Sequence, residues 1–241
     1  MSTQDIDYRD GPLILRGVLA NDETLEGQRP GVLVVHEAWG LGDHVIARAK
    51  MLAGLGYVAL AADMYGERRQ ASDLPAAMEL IGDLRSDPAK LRARAGAGLE
   101  ALRAHPNVDE SKLAAIGFCF GGTTVLELAR GSAELKGIVS FHGGLQTAAP
   151  AKPGAVTPKV LVCTGADDPM IPPAQVVEFE EEMRNAGADW QVISYGGTVH
   201  SFTNPDAGKV VALAGVAYNK QSDQRSWAAM RAFFDEIFRA G

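Results

Sequence analysis

The segment Gly117–Phe118–Cys119–Phe120–Gly121–Gly122 puts a cysteine at the centre of a G-x-C-x-G turn. It follows a short apolar block and precedes a segment with helical spacing. A sharp strand-to-helix turn forces its central residue into a strained backbone, and small flanking residues are needed to avoid clashes. Gly117 and Gly121 meet that need. The turn lifts the Cys119 sulfur above the C-terminal edge of a sheet, at the N-terminus of a helix, where negative charge is favoured. The Phe120 N–H then points toward an oxyanion. The chemistry would be thiolate attack on an acyl group. A buried structural cysteine in a glycine-rich turn is the bland alternative.

The order of possible partners separates these readings. In this architecture a nucleophile is followed along the chain by an acid and then a histidine. Residues 164–172 read Thr-Gly-Ala-Asp-Asp-Pro-Met-Ile-Pro, a loop after the apolar block 160–163. Residues 195–202 read Tyr-Gly-Gly-Thr-Val-His-Ser-Phe, after the block 190–194. Each candidate lies just past a strand, on the edge where α/β sheets build their sites. Cys119 is read as nucleophile, His200 as base and Asp168 as the residue that orients the imidazole. Asp167 is the competing acid. Asp168 is preferred because it fills the fourth position of G-x-x-D, directly before Pro169. His142 ends a strand block and is expected to line the pocket, whereas His44 and His105 read as surface or capping residues.

These residues need a frame. Apolar blocks at 31–36, 57–62, 113–118, 137–141, 160–163 and 190–194 are continuous rather than alternating, which fits strands buried on both faces of a parallel sheet. Residues 8–19 alternate, with Asp10–Gly11 as a turn signal, and predict an antiparallel edge hairpin. Helical spacing is found at 44–55, 74–84, 90–104, 125–130, 172–186 and 226–238. Strand and helix alternate, so the expected fold class is α/β, a mostly parallel sheet flanked by helices on both faces, in a single domain over 1–241. The loop 147–158 is too short to separate domains.

Composition narrows the function classes. At 241 residues, 46% hydrophobic and 22% charged, the chain is an ordinary globular protein able to bury a large core. A net charge of −7 argues against nucleic acid as the main partner. Two cysteines cannot make a disulfide framework. Residues 1–10 are polar and acidic, without an apolar signal core, and no run approaches a membrane span. A cytoplasmic protein with no membrane partner is expected. No metal or other cofactor is expected, since His36–Glu37 lacks the second histidine of H-E-x-x-H and no dinucleotide fingerprint follows a strand.

From about Val32 to the final helix the sequence resembles the dienelactone hydrolase family, a cap-less branch of the α/β-hydrolase fold. The motifs that carry the resemblance are Val35–His36–Glu37–Ala38–Trp39–Gly40, the cysteine elbow, the Gly165–Asp168 loop and His200–Ser201–Phe202. Cysteine in place of serine at the elbow is the most specific. The resemblance implies a Cys119–Asp168–His200 triad. It implies that Glu37 interacts with the resting thiol and helps control its activation, and that Ala38 donates a second oxyanion-hole N–H beside Phe120.

One departure bears on the substrate. Family members acting on dienelactone hold its carboxylate with arginines, one of them in a His-Ser-Phe-x-Arg pattern. This chain has Asn204 at that position. Another falls after the block 57–62, where Arg68 and Arg69 have no secure correspondence. An amide cannot replace a guanidinium fork. The expectation is a hydrolase of small neutral esters or lactones working through an acyl-cysteine, favouring activated aryl esters, with activated phosphotriesters as side substrates. Trp39, Tyr65, Phe120 and Phe202 would supply aromatic pocket walls, with His142 and Asn204 beside them. The competing expectations are a redox or electrophile sensor built on Cys119, and a non-catalytic small-molecule binding module.

Overall fold

A computed structural model describes residues 2–209 and 213–239. Its strands form an eight-strand, mostly parallel sheet with helices, the α/β class expected. By its internal packing the chain divides into two compact units, Met1–Ile116 and Gly117–Gly241.

The first unit opens with the hairpin of β1 (Ser2–Asp10) and β2 (Leu13–Asn21), paired antiparallel from Asp10↔Leu13 to Ser2↔Asn21. Gly11 turns it with φ +56°, a conformation that favours glycine. The hairpin exceeds the predicted 8–19 because β1 is mostly exposed and polar, so its sequence lacks a burial pattern. Strands β3 (Arg29–Val35) and β4 (Val58–Ala62) run parallel, and β2 pairs antiparallel with β4. All of β4 and nearly all of β3 are buried. Helix α1 (Asp43–Ala53) connects them. Helices α2 (Leu74–Arg85) and α3 (Pro88–Arg103) start at side-chain caps. Asp73 accepts from the Ala76 N–H, and Asp87 accepts from those of Ala89 and Lys90. The loop after β4 is tied to Asp63, whose buried carboxylate accepts the N–H groups of Tyr65, Gly66, Arg16 and Arg68 at 2.8–3.0 Å. Strand β5 (Val108–Phe118) runs across the division between the units.

The second unit continues with α4 (Phe120–Arg130), β6 (Gly137–Phe141), β7 (Lys159–Gly165), α5 (Pro173–Ala186), β8 (Trp190–Tyr195) and α6 (Lys220–Arg239). Strands β6, β7 and β8 are parallel neighbours. Helix α4 is buried along its whole length. It begins at Phe120 rather than near Val125, because packing outweighs the weak propensity of Gly121, Gly122, Thr123 and Thr124. Helix α6 begins six residues before the predicted start. Asn219 caps it, its side chain accepting from the Ser222 N–H at 3.1 Å and its carbonyl from that of Asp223. Phe118 and Phe141 stack beneath the elbow with centroids 4.9 Å apart and planes 11° apart, a pairing worth about 0.5–1.5 kcal/mol beyond burial. Among the described residues no helix is long and apolar enough to cross a membrane.

Candidate active site

Cys119 is the residue between β5 and α4. Its backbone sits at φ 53°, ψ −114°, in the positive-φ region that non-glycine residues rarely occupy. Several contacts hold it there. Its N–H is shared between the Phe141 carbonyl at 3.0 Å and His142 Nδ1 at 3.1 Å, and its carbonyl accepts from the Thr123 N–H at 3.1 Å. The glycines answer to close approach. A Cβ on Gly117 would lie 2.0 Å from the Gly121 carbonyl oxygen, and one on Gly122 would lie 2.8 Å from Gly143 Cα. Phe120 opens α4, and first-turn N–H groups have no acceptor within their own helix.

Asp168 lies on the turn after β7 and His200 on the loop after β8. His200 Nδ1 is 2.7 Å from Asp168 Oδ2, and His200 Nε2 is 3.1 Å from Cys119 Sγ. The other Asp168 oxygen accepts from the Met170 N–H at 2.8 Å, which locks the carboxylate rotamer. Asp167 is exposed, so of the two adjacent acids it is Asp168 that meets the imidazole. Gly165 explains how the two loops come so close: a Cβ there would lie 2.3 Å from the Thr198 carbonyl oxygen. The His200 backbone is pinned by Gly215 and Ala217. Burial disfavours charge on the imidazole. The Cys119 sulfur and the Asp168 carboxylate outweigh it and push the His200 pKa up to about 10.

The remaining expected site residues fall less uniformly. His142 and Phe202 have no exposed surface, so they pack behind the site rather than line an open wall. His142 has φ 42°; its Nδ1 accepts from Cys119 and its Nε2 meets Thr203 Oγ1 at 2.8 Å. Its ring stands edge-on to those of His200 and Phe202, 5.2 Å from each. Thr203 was missed by sequence reasoning, which has no local signal for a partner 61 residues from His142. Asn204, expected in the pocket, is half-buried and caps its own turn, accepting from the Asp206 N–H at 2.9 Å.

In the first unit, Glu37 and Ala38 follow the end of β3. Glu37 is buried, with a carboxylate oxygen 3.4 Å from His44 Nδ1. His44 is therefore a carboxylate's partner, not merely a surface or capping residue. Tyr65 is buried and donates its hydroxyl to the Ala38 carbonyl at 2.8 Å. Trp39 is half-buried. The Arg68 guanidinium is engaged by Asp5 and by the carbonyls of Arg16 and Gly17. Among the described residues no group of three or more His, Cys, Asp or Glu side chains is arranged to hold a metal ion.

A sheet with helices whose strand ends carry a cysteine elbow, an acid and a histidine defines an α/β-hydrolase. The sequence profile of the dienelactone hydrolase family matches residues 15–238, and the chain belongs to that family and is a carboxylic-ester hydrolase. A Yersinia pestis protein that carries a provisional carboxymethylenebutenolidase name is 28% identical over 231 residues, covering 92% of this chain and 84% of that one. The solved structure of a dienelactone hydrolase-like promiscuous phosphotriesterase from metagenomic libraries is 45% identical. It covers 98% of both chains, with a TM-score of 0.93. A Klebsiella pneumoniae structure, 23% identical with a TM-score of 0.80 over 97% of this chain and 99% of that one, shares the fold.

Proposed function

We propose that this hydrolase cleaves small, neutral esters and lactones through an acyl-cysteine intermediate. The observation that carries the reading is the continuous chain Cys119 Sγ–His200 Nε2–His200 Nδ1–Asp168 Oδ2, at 3.1 and 2.7 Å. His200 takes the Cys119 proton, and the sulfur adds to the ester carbonyl carbon. The carbonyl electron pair moves to oxygen, where the Phe120 N–H at the start of α4 receives it. Removing one such donor costs about 3–4 kcal/mol in other hydrolases. The tetrahedral species collapses, the C–O bond breaks, and the alkoxide leaves with the proton from His200. Water, deprotonated by His200, then attacks the thioester and releases acid and Cys119. Asp168 holds the imidazole in the required tautomer and stabilises its cation.

A thiolate competes with the alcohol as a leaving group, so aryl esters with stable leaving groups should turn over fastest. The arginine of the His-Ser-Phe-x-Arg pattern is replaced here by Asn204, a turn-capping amide, and Arg68 is committed to the hairpin. The 45% identity to a promiscuous phosphotriesterase supports activated, uncharged phosphotriesters as a second substrate class. Both cysteines are free thiols, which fits a reducing cytoplasm.

The test is turnover of p-nitrophenyl esters of increasing acyl length by wild type, Cys119→Ala and His200→Ala. Turnover in wild type, and its loss in both variants, is expected. Undiminished turnover in Cys119→Ala would refute the acyl-cysteine. No turnover in wild type, with peroxide sensitivity of Cys119 equal in wild type and His200→Ala, would favour a thiol sensor instead.

A further inference from the structure

His142 follows the last residue of β6 and is wholly buried, yet the steps above give it no role. Its backbone sits at φ 42°, in the region that side-chain-bearing residues rarely occupy, and its N–H donates to the Cys163 carbonyl on β7 at 2.8 Å. The main chain is thus anchored to the sheet, and both ring nitrogens are engaged beyond it. Nδ1 lies 3.1 Å from the Cys119 nitrogen, and Nε2 lies 2.8 Å from Thr203 Oγ1. A backbone N–H can only donate, so Nδ1 is the acceptor. A neutral ring then carries its proton on Nε2 and donates it to the Thr203 hydroxyl. Cys119, His142, His200 and Thr203 all belong to the second unit.

The two ring bonds run to the two halves of the reacting pair. One ends on the backbone of Cys119, and the other on Thr203, in the loop that carries His200. The same ring stands edge-on to His200 at 5.2 Å and 67°, and to Phe202 at 5.2 Å and 76°. The Cys119 N–H is shared with the Phe141 carbonyl at 3.0 Å, which fixes the elbow to the end of β6. The His142 ring carries that connection on to the histidine loop. Gly215 and Ala217 bond the His200 backbone to the chain ahead of α6, not to the elbow. We propose that His142 is a positioning residue that, through Thr203, holds the His200 imidazole at hydrogen-bonding distance from the Cys119 sulfur. This role rests on the hydrolase reading above. When the pair parts beyond hydrogen-bond reach, the imidazole no longer takes the thiol proton, and the thiolate loses the cation that stabilises it. Such a fault is felt in the chemistry rather than in substrate binding, so kcat should fall and KM should hold.

The experiment compares His142→Leu, Thr203→Val and Thr203→Ser with wild type, and repeats His142→Leu in a His200→Ala background. Thr203→Val keeps the shape of the side chain and removes the acceptor, whereas Thr203→Ser keeps the hydroxyl. Thermal melts identify the variants that fold, and Thr203→Val carries the test should His142→Leu fail to fold. Two quantities are measured: p-nitrophenyl ester kinetics, and the rate of Cys119 alkylation by iodoacetamide as a function of pH. Alkylation follows the thiolate and needs neither ester binding nor an oxyanion. For His142→Leu the expected result is a fall in kcat of about 10²-fold, the cost of displacing a reacting group by about 1 Å, with KM little changed. Its alkylation profile should move to higher pH. Thr203→Val should move both quantities in the same directions by less, and Thr203→Ser should retain most of the wild-type kcat and profile. In the His200→Ala background, adding His142→Leu should leave the profile where His200→Ala puts it, because no imidazole remains to be positioned. Folded His142→Leu and Thr203→Val proteins with wild-type kcat and profile would overturn the proposal. So would a shift of equal size with and without His200. If wild type turns over no ester while the profile still responds to both positions as expected, the positioning role stands and the hydrolase reading falls.

Discussion

Adding one methyl group should have opposite effects at two glycines of this chain. At Gly117 the new Cβ would lie 2.0 Å from the Gly121 oxygen, 2.2 Å from its carbonyl carbon and 2.7 Å from the Gly122 nitrogen. Ordinary van der Waals contact starts near 3.4 Å, so the end of β5 and the first turn of α4 would have to separate by more than an ångström. All three atoms are backbone, and no flexible side chain can yield. Overpacking costs about 1–3 kcal/mol where side chains adjust, so Gly117→Ala should sit at or above about 3 kcal/mol. At about 2–4 °C per kcal/mol for a chain of this size, Tm should fall by about 6–12 °C. The displaced elbow carries Cys119, and a shift of about 1 Å at a reacting group costs about 10²-fold in kcat. A Cβ on Gly96, within α3, would instead meet nothing within 4 Å outside its own helix. Gly96→Ala should raise Tm by a few degrees, through helix propensity of about 1 kcal/mol, and leave activity unchanged. Thermal melts and aryl-ester turnover of the two variants decide the matter. A Gly117→Ala protein melting within a degree or two of wild type would refute the contact argument. One that loses stability but keeps its kcat would refute the claim that elbow position carries the rate.

Three other outcomes are expected. The raised His200 pKa means that the native state holds a proton the unfolded chain releases. The associated stability is fully present below the unfolded value of about 6.5 and is lost as pH rises toward about 10. Melts across that window should fall more steeply for wild type than for Asp168→Asn, and identical slopes would contradict the assignment. Arg130 is buried and donates to Glu127, to both Glu182 oxygens and to the Leu145 carbonyl. Arg130→Ala removes the cation paired with the buried Glu127 carboxylate, so urea unfolding should show a loss of about 3–5 kcal/mol. Cys163 is wholly buried, and burial pushes its thiol pKa up to about 12. Native protein should therefore alkylate at Cys119 alone, with Cys163 reacting only after denaturation, as peptide mass mapping would reveal.

Much of the candidate site is legible along the chain because its chemistry is local. The elbow's glycines, the G-x-x-D turn and the late histidine each sit directly after an apolar strand block, and a strand end is a position that sequence periodicity marks. The order of nucleophile, acid and histidine follows from the same alternation. The capping asparagine at 219 is a readable local signal too, although the apolar helical spacing starts only at residue 226. Other features have no local source. Asp167 and Asp168 are equivalent as neighbours in sequence; one is chosen because the loop carrying His200 can approach Gly165 closely enough to reach it. His36, His142 and Phe202 look like any histidine or aromatic residue near a strand end. Their buried hydrogen bonds and ring contacts join residues dozens of positions apart, and such pairings exist only once strands and loops have packed. Side-chain type and spacing therefore determined which groups could react. Tertiary packing decided which atoms meet, because hydrogen bonds require approach to about 3 Å and orientations that chain periodicity does not encode.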